Sequence, residues 1–346
     1  MKRYFALATL ALGFLGGAPA LAQTPAKMTL TGVPPRQDAI FLSGNAWSVF
    51  ASGTIDKDAA ARLSAYIKSN DIPQGSQIFL NATDGDTPAA IALGKVIRDN
   101  DLSTYVGTQK AAGKRNSAPG QCLDACALAF MGGKFRYAPD KSRYGFRRAI
   151  AQDPTVARYL QEMEINSGAL SIPGSASDPN FIEPTLAQLN QFDVTNNGKT
   201  RTTWTVHTLK ADSPGDVDVT YLKGQRDTTQ GINKFILQCI KKKLQLLVIF
   251  DPQGREDEYM AYNVDYLFID GKKTQIDKSR LNRQVVNGWI NAGYRLTDAQ
   301  IAAIAQAKTL GVVSLPTPQA GMFAGFDSLP VDSPDTIGNF VQSCKG

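Results

Sequence analysis

The stretch that most limits the fold runs from residue 120 to residue 148 and reads GQCLDACALAFMGGKFRYAPDKSRYGFRR. A Gly-Gln-Cys-Leu-Asp turn passes directly into a short helix of small and apolar residues: Ala125, Ala127, Leu128 and Phe130. Gly132-Gly133 closes that helix, and a basic, aromatic, strand-like segment follows. A helix this apolar has to lie inside the protein. Its N-terminus then presents backbone N–H groups that have no intrahelical acceptor. In acyl-transfer chemistry such a terminus holds a nucleophile and builds an oxyanion hole. Here the residue at the turn is Asp124, a carboxylate.

Residues 1–22 read as a secretory signal. Lys2 and Arg3 give a charged start, a short apolar run follows, and Ala20-Leu21-Ala22 forms a small-x-small cleavage site. The apolar run is too short to span a bilayer, and no later run is long enough, so no membrane span is expected after signal removal. The expected location is the periplasm. Of the formal charge of +6, Lys2 and Arg3 leave with the signal, so the mature chain carries 6 − 2 = +4. That mild excess does not call for nucleic acid as a partner. Residues 23–45, with Pro34-Pro35, read as an irregular entry.

The four cysteines are Cys122, Cys126, Cys239 and Cys344. An even count in an exported chain favours disulfides. Three pairings are open, and position favours Cys122–Cys126 with Cys239–Cys344. The second would close a loop of roughly 105 residues, worth about 4–5 kcal/mol in the chain-entropy model. A redox or metal pair at Cys122 and Cys126 is the alternative. No histidine or second cysteine pair lies near in sequence, so no metal site is expected. No cofactor is expected either.

Between these marks the pattern alternates. Residues 48–55 read as a strand, then Asp56 as the cap of a helix with Leu63, Tyr66 and Ile67 on its apolar side. Residues 77–80 read as a strand ending in Asn81-Ala82-Thr83-Asp84-Gly85-Asp86. Thr87 is expected to cap a helix with Pro88 in its first turn. Residues 103–107 make a further strand. This order argues for an α/β fold with a parallel sheet.

Residues 76–148 resemble the core of the Clp protease proteolytic subunit and the wider crotonase-like superfamily, most closely the periplasmic Clp-protease-like proteins of bacteria. Asn81-Ala82-Thr83-Asp84-Gly85 stands where those proteins carry Asn-Ser-Pro-Gly-Gly, and Leu93-Gly94 and Ile97-Arg98 match their next helix. Cys122-Leu123-Asp124-Ala125-Cys126-Ala127 followed by Gly132-Gly133 stands where they carry Cys-x-Ser-Ala-Cys-Ala and Gly-Gly. Residues 159–196 are similar to the family's helical tail, so the resemblance covers about half of the mature chain. It implies a ClpP/crotonase-like spiral domain over 46–197. It also implies a serine nucleophile at Asp124, a histidine base at Arg147, and oxyanion-hole N–H groups at Gly85 and Ala125. Relatives of this fold assemble into rings or trimers, which implies a homo-oligomer.

The substitutions decide the expected chemistry. Serine attack needs a hydroxyl and an adjacent base. Asp124 has no hydroxyl, and an arginine cannot accept a proton. Asp124 and Arg147 are therefore expected to pair with each other, which a helix N-terminus and a guanidinium both favour. The reading is a catalytically inactive binding or scaffold protein with an unknown protein or peptide partner. The alternative is a hydrolase or acyl-handling enzyme in which Asp124 acts as base beside Gly85 and Ala125. The Asp84-Gly85-Asp86 turn reads as a helix-capping turn, with cation binding as the rival. Arg136, Arg143, Arg147 and Arg148 could together bind an anion, against a strand with a solvated basic face.

From Thr200 the texture changes to period two: Phe235, Leu237, Cys239; then Leu244, Leu246, Val248, Phe250; then Val264, Tyr266, Phe268. Residues 322–326 are a further strand candidate, and residues 337–341 a last short helix. Residues 198–346 are expected to form a mainly β, sandwich-like domain closed by Cys239–Cys344. The sole histidine, His207, lies near a strand and reads as structural.

Overall fold

The computed structural model describes residues 27–36, 45–174, 176–210 and 218–345. The expected signal, residues 1–22, lies outside them. The described chain is a mixed α/β fold with several sheets and two principal apolar cores, one drawn from residues 28–194 and the other from residues 222–344.

The first core is organised by a five-stranded sheet. It is built from β1 (Thr29–Val33), β2 (Ser48–Ser52), β3 (Gln77–Asn81), β4 (Ser103–Val106) and, after three short strands β5 (Thr108–Gln109), β6 (Ser117–Ala118) and β7 (Gln121–Leu123), β8 (Arg136–Tyr137). β2, β3, β4 and β8 run parallel, while β1 lies antiparallel on the edge. That edge strand corrects the reading of residues 23–45 as irregular. TLTGV is too short to show its period in sequence, but Gly32 donates its N–H to the Tyr66 hydroxyl at 2.6 Å and fixes the strand against a neighbouring helix.

Helices α1 (Ala59–Ser69) and α2 (Thr87–Asp99) cover one face of this sheet, burying Leu63 and Ile67 from the first and Ala90, Leu93, Gly94 and Ile97 from the second. Two caps differ from expectation. Asp86, not Thr87, caps α2, accepting from Ala89 N–H at 2.8 Å. Asp56 does not cap α1. Its carboxylate is drawn to Arg62 at 2.5 and 2.8 Å, which holds it far below the usual carboxylate range.

The stretch 120–148 does form a buried helix, α3 (Ala125–Met131), every residue of which is buried. Its far end meets α2 backbone to backbone: a Cβ added at Gly132 would collide with the Gly94 main chain. That explains the glycine at 132, whereas a Cβ at Gly94 would run into the Tyr159 hydroxyl. β7 pairs in parallel with β9 (Arg143–Arg147), and β10 (Phe181–Ile182) pairs with the other side of β9. The isolated bridge Ala82↔Cys122 joins this small sheet to the end of β3. Helices α4 (Arg148–Ala151), α5 (Pro154–Glu162) and α6 (Leu186–Gln191) wrap the remainder, with Tyr159 donating its buried hydroxyl to the Leu128 carbonyl at 3.0 Å.

The second half is β-rich. β11 (Thr203–Leu209), β12 (Val219–Thr228), β13 (Gly231–Ile240) and β14 (Lys243–Phe250) form consecutive antiparallel pairs. After α7 (Glu256–Met260) come β15 (Val264–Ile269), β16 (Lys272–Ile276), β17 (Leu281–Val286) and β18 (Trp289–Tyr294). Then follow α8 (Asp298–Ile304), β19 (Thr309–Leu315), β20 (Ala324–Pro330) and α9 (Pro334–Lys345). One sheet has the order β11-β12-β13-β14-β18-β17 and the other β16-β15-β19-β20. The strand near residue 322 starts later than expected, at Ala324, and leaves Met322 and Phe323 exposed. The final helix is longer than residues 337–341. Cys344 near its end is joined to Cys239 on β13, and Cys122 is joined to Cys126 across the start of α3.

Candidate functional site

The site is assembled where β3, β7, β9 and α3 converge. Asp124 sits between β7 and α3 with φ 54° and ψ −118°, a region that residues with a side chain avoid. Backbone bonds on both sides hold it there. Its N–H donates to the Gly145 carbonyl at 2.8 Å, and its carbonyl accepts from Ala127 N–H at 3.0 Å. The Cys122–Cys126 disulfide straddles the same turn.

The parallel register Leu123↔Gly145 brings Arg147, two residues further along β9, beside Asp124. The Arg147 backbone N–H donates to Asp124 Oδ1 at 2.9 Å, and its guanidinium forms an ion pair with Oδ2 at 3.0 Å. The two side chains divide unequally between interior and solvent: Asp124 is 9% exposed and Arg147 68%. Both carboxylate oxygens are thus engaged, one by main chain and one by a guanidinium lying over it from outside.

Gly85 and Ala125 also converge. A Cβ added to Gly85 would lie 3.0 Å from the Ala125 Cβ and 2.8 Å from Ile55, so only glycine lets this turn approach α3. Their N–H groups do not make the expected open pair of donors, however. Gly85 N–H donates to the carboxylate of its own neighbour, Asp84, at 2.8 Å. An oxyanion there would have to displace a negative group already bound to that donor. Asp86 is spent on the α2 cap. Among the described residues no group of three or more His, Cys, Asp or Glu is placed to hold a metal ion.

The four arginines expected to bind an anion each have other partners, and Arg136 is set apart from the rest. Arg136 is only 3% exposed and faces inward, donating to the carbonyls of Val194 (3.0 Å), Gly133 (2.7 Å) and Asp193 (2.8 Å). Burial pushes its guanidinium down to about 10, still charged at neutral pH. Arg143 forms a two-pronged pair with Glu183 at 3.0 and 3.3 Å. Arg148 donates to the carbonyls of Pro179 and Ile172 at 3.3 and 3.5 Å, and Arg147 belongs to Asp124. Arg136 lies on the two-residue strand β8 and turns inward, whereas Arg143 and Arg147 are the two exposed ends of β9. Arg136 instead anchors the segment around residue 194 to the main sheet. Nothing local signals this role, since two of its three acceptors lie almost sixty residues away.

His207 lies in the other half, on β11. Its Nε2 is 2.7 Å from the Thr205 hydroxyl and its ring stacks on Tyr221 at 5.1 Å.

No family model matches the chain, and no curated protein matches it. Among solved structures, a ClpP1 point mutant from Listeria monocytogenes aligns at 13% identity over 43% of this chain and 89% of that chain, with a TM-score of 0.33. A score of that size carries no argument about what this chain is.

Proposed function

We propose that this chain is an exported periplasmic protein whose first domain, residues 46–197, is a catalytically inactive ClpP/crotonase-like spiral. A mainly β, sandwich-like domain over 198–346 follows it, and the whole serves as a binding or scaffold protein for a peptide or protein partner. The observation that carries this reading is the pairing of Asp124 with both the main chain and the guanidinium of Arg147. A nucleophile or base needs a free lone pair and an open approach; here each oxygen already holds one partner, and the guanidinium lies over the carboxylate on its solvent side. The capture of Gly85 N–H by Asp84 works in the same direction. Support for the spiral comes from the parallel order β2-β3-β4-β8 with α1 and α2 on one face, and from the small second sheet that carries the turn. Two disulfides suit an oxidising compartment.

A second reading, an acyl-handling enzyme using Asp124, is favoured by one observation: the positive φ at Asp124, a conformation of the kind catalytic turns hold under strain. Labelling separates the two. The oxidised protein is treated with a fluorophosphonate and, separately, with acyl thioesters, and is used as bait in a periplasmic extract. The proposal expects no adduct, no thioester loss and a retained peptide or protein. An adduct within residues 120–148, or thioester hydrolysis that disappears in Asp124→Ala, overturns it.

A further inference from the structure

We propose that the outer edge of β11 is a self-association surface, through which two copies of this chain join their six-stranded sheets across a two-fold axis. This stands apart from the reading of the Asp124 site, since β11 belongs to the other half of the chain. Among the described residues β11 pairs with β12 alone and begins the sheet order. Its other side is a row of backbone N–H and C=O groups. Proteins blunt such edges with prolines, lysines, bulges or very short strands. β11 has none of these: it is seven residues, TWTVHTL, with no charge, no proline and an unbroken register to β12. Lys210, the charge that follows it in sequence, is already paired with Asp218 at 2.7 Å, and Lys223 stands opposite Thr205 on β12, away from the free edge.

The side chains identify the occupant. Val206 stands opposite Leu222, which stands opposite Leu237, which stands opposite Leu246. Those three leucines are at most 1% exposed, whereas Val206 at the end of the same row is 56% exposed. The core row therefore runs off the edge of the sheet uncovered. An antiparallel second copy centred on Val206 places another Val206 beside it and continues the row into a second set of buried leucines. The pairing sets Thr205 against His207 and brings no like charges together across the axis. Leu209, 57% exposed, adds apolar surface at the end of the strand. A strand pair of this length covers less than the roughly 800 Å² per partner of a standard interface, so the dimer should be weak and concentration-dependent.

The test is sedimentation of the mature, oxidised full chain from low concentration up to roughly 100 μM, with three variants. The wild type should pass from monomer to dimer. Val206→Lys with Leu209→Lys, both at exposed positions, should raise the dissociation constant at least about tenfold. Val285→Lys with Val286→Lys, on the opposite edge strand β17, should leave it unchanged. The native chain has no free cysteine, so Val206→Cys gives a clean readout: a disulfide-linked dimer on a non-reducing gel. A wild type that stays monomeric at the highest concentration overturns the proposal. So does an assembly that the β11 variant does not weaken, or a Val206→Cys protein that remains unlinked while the wild type dimerises.

Discussion

Replacing Asp124 separates its hydrogen bond from its backbone strain. The bond between its carboxylate and Arg147 N–H is charge-assisted and nearly buried, and such bonds contribute about 1.5–3 kcal/mol. The guanidinium partner is 68% exposed, so its share is about 0–1 kcal/mol. Against these stands the cost of φ 54°, about 1–3 kcal/mol for a residue with a side chain. Asp124→Ala loses the bonds and keeps the strain, so it should cost about 2–4 kcal/mol. Asp124→Gly loses the same bonds but relieves the strain, less the entropy that glycine adds to the unfolded chain, about 0.5–1 kcal/mol. Glycine should therefore be more stable than alanine here by about 1 kcal/mol, while Asp124→Asn, which keeps an acceptor for Arg147 N–H, should lose least. The assay is urea-dependent hydrogen exchange of peptides covering residues 120–148 in the oxidised protein, which reports this region without requiring both halves to unfold together. An alanine variant as stable as the glycine variant, or more stable, refutes the claim that the turn is strained.

Three further outcomes are expected. Arg136→Ala should cost about 3–5 kcal/mol by urea unfolding, because it strands the carbonyls of Gly133, Asp193 and Val194. Lysine should rescue only part, having no planar fork. Gly132→Ala should cost about 1–3 kcal/mol by the same measurement, since its Cβ has no room against the Gly94 backbone. Glu258 is held at about 2, first by its hydrogen bond to Arg255 and then by the Tyr262 hydroxyl. Its folded value is depressed, so its contribution is complete above the ordinary value of 4.5 and is lost as pH falls towards about 2. The difference in Tm between wild type and Glu258→Gln should therefore shrink over that window, and a difference that grows on acidification contradicts the assignment.

The fold was legible where the signal is local. The apolar run after Asp124 had to be a buried helix, and the period-two segments from Phe235 onward had to be sheet. Proximity in sequence picked out Cys122–Cys126, and the remaining two cysteines then had only each other. What escaped was set by distant partners. Arg136 looks like one cation in a basic strand until carbonyls from residues 193 and 194 arrive around it. The edge strand β1 has five residues and no clear alternation, and depends on Tyr66 of a later helix. At the site, the carboxylate of Asp124 at the turn and the guanidinium of Arg147 on the later strand could be read from the residues themselves. The fate of Gly85 N–H could not, because a neighbouring aspartate can cap a helix or turn back on the main chain, and only the local φ/ψ decides between them.

The central claim is that Asp124 and Arg147 lock one another and leave no reactive group. It is tested most directly by following turnover of peptide and acyl-thioester substrates by the oxidised chain beside its Asp124→Ala variant. The account predicts no turnover above the uncatalysed rate in either protein. Turnover by the native chain that vanishes in the variant would contradict it.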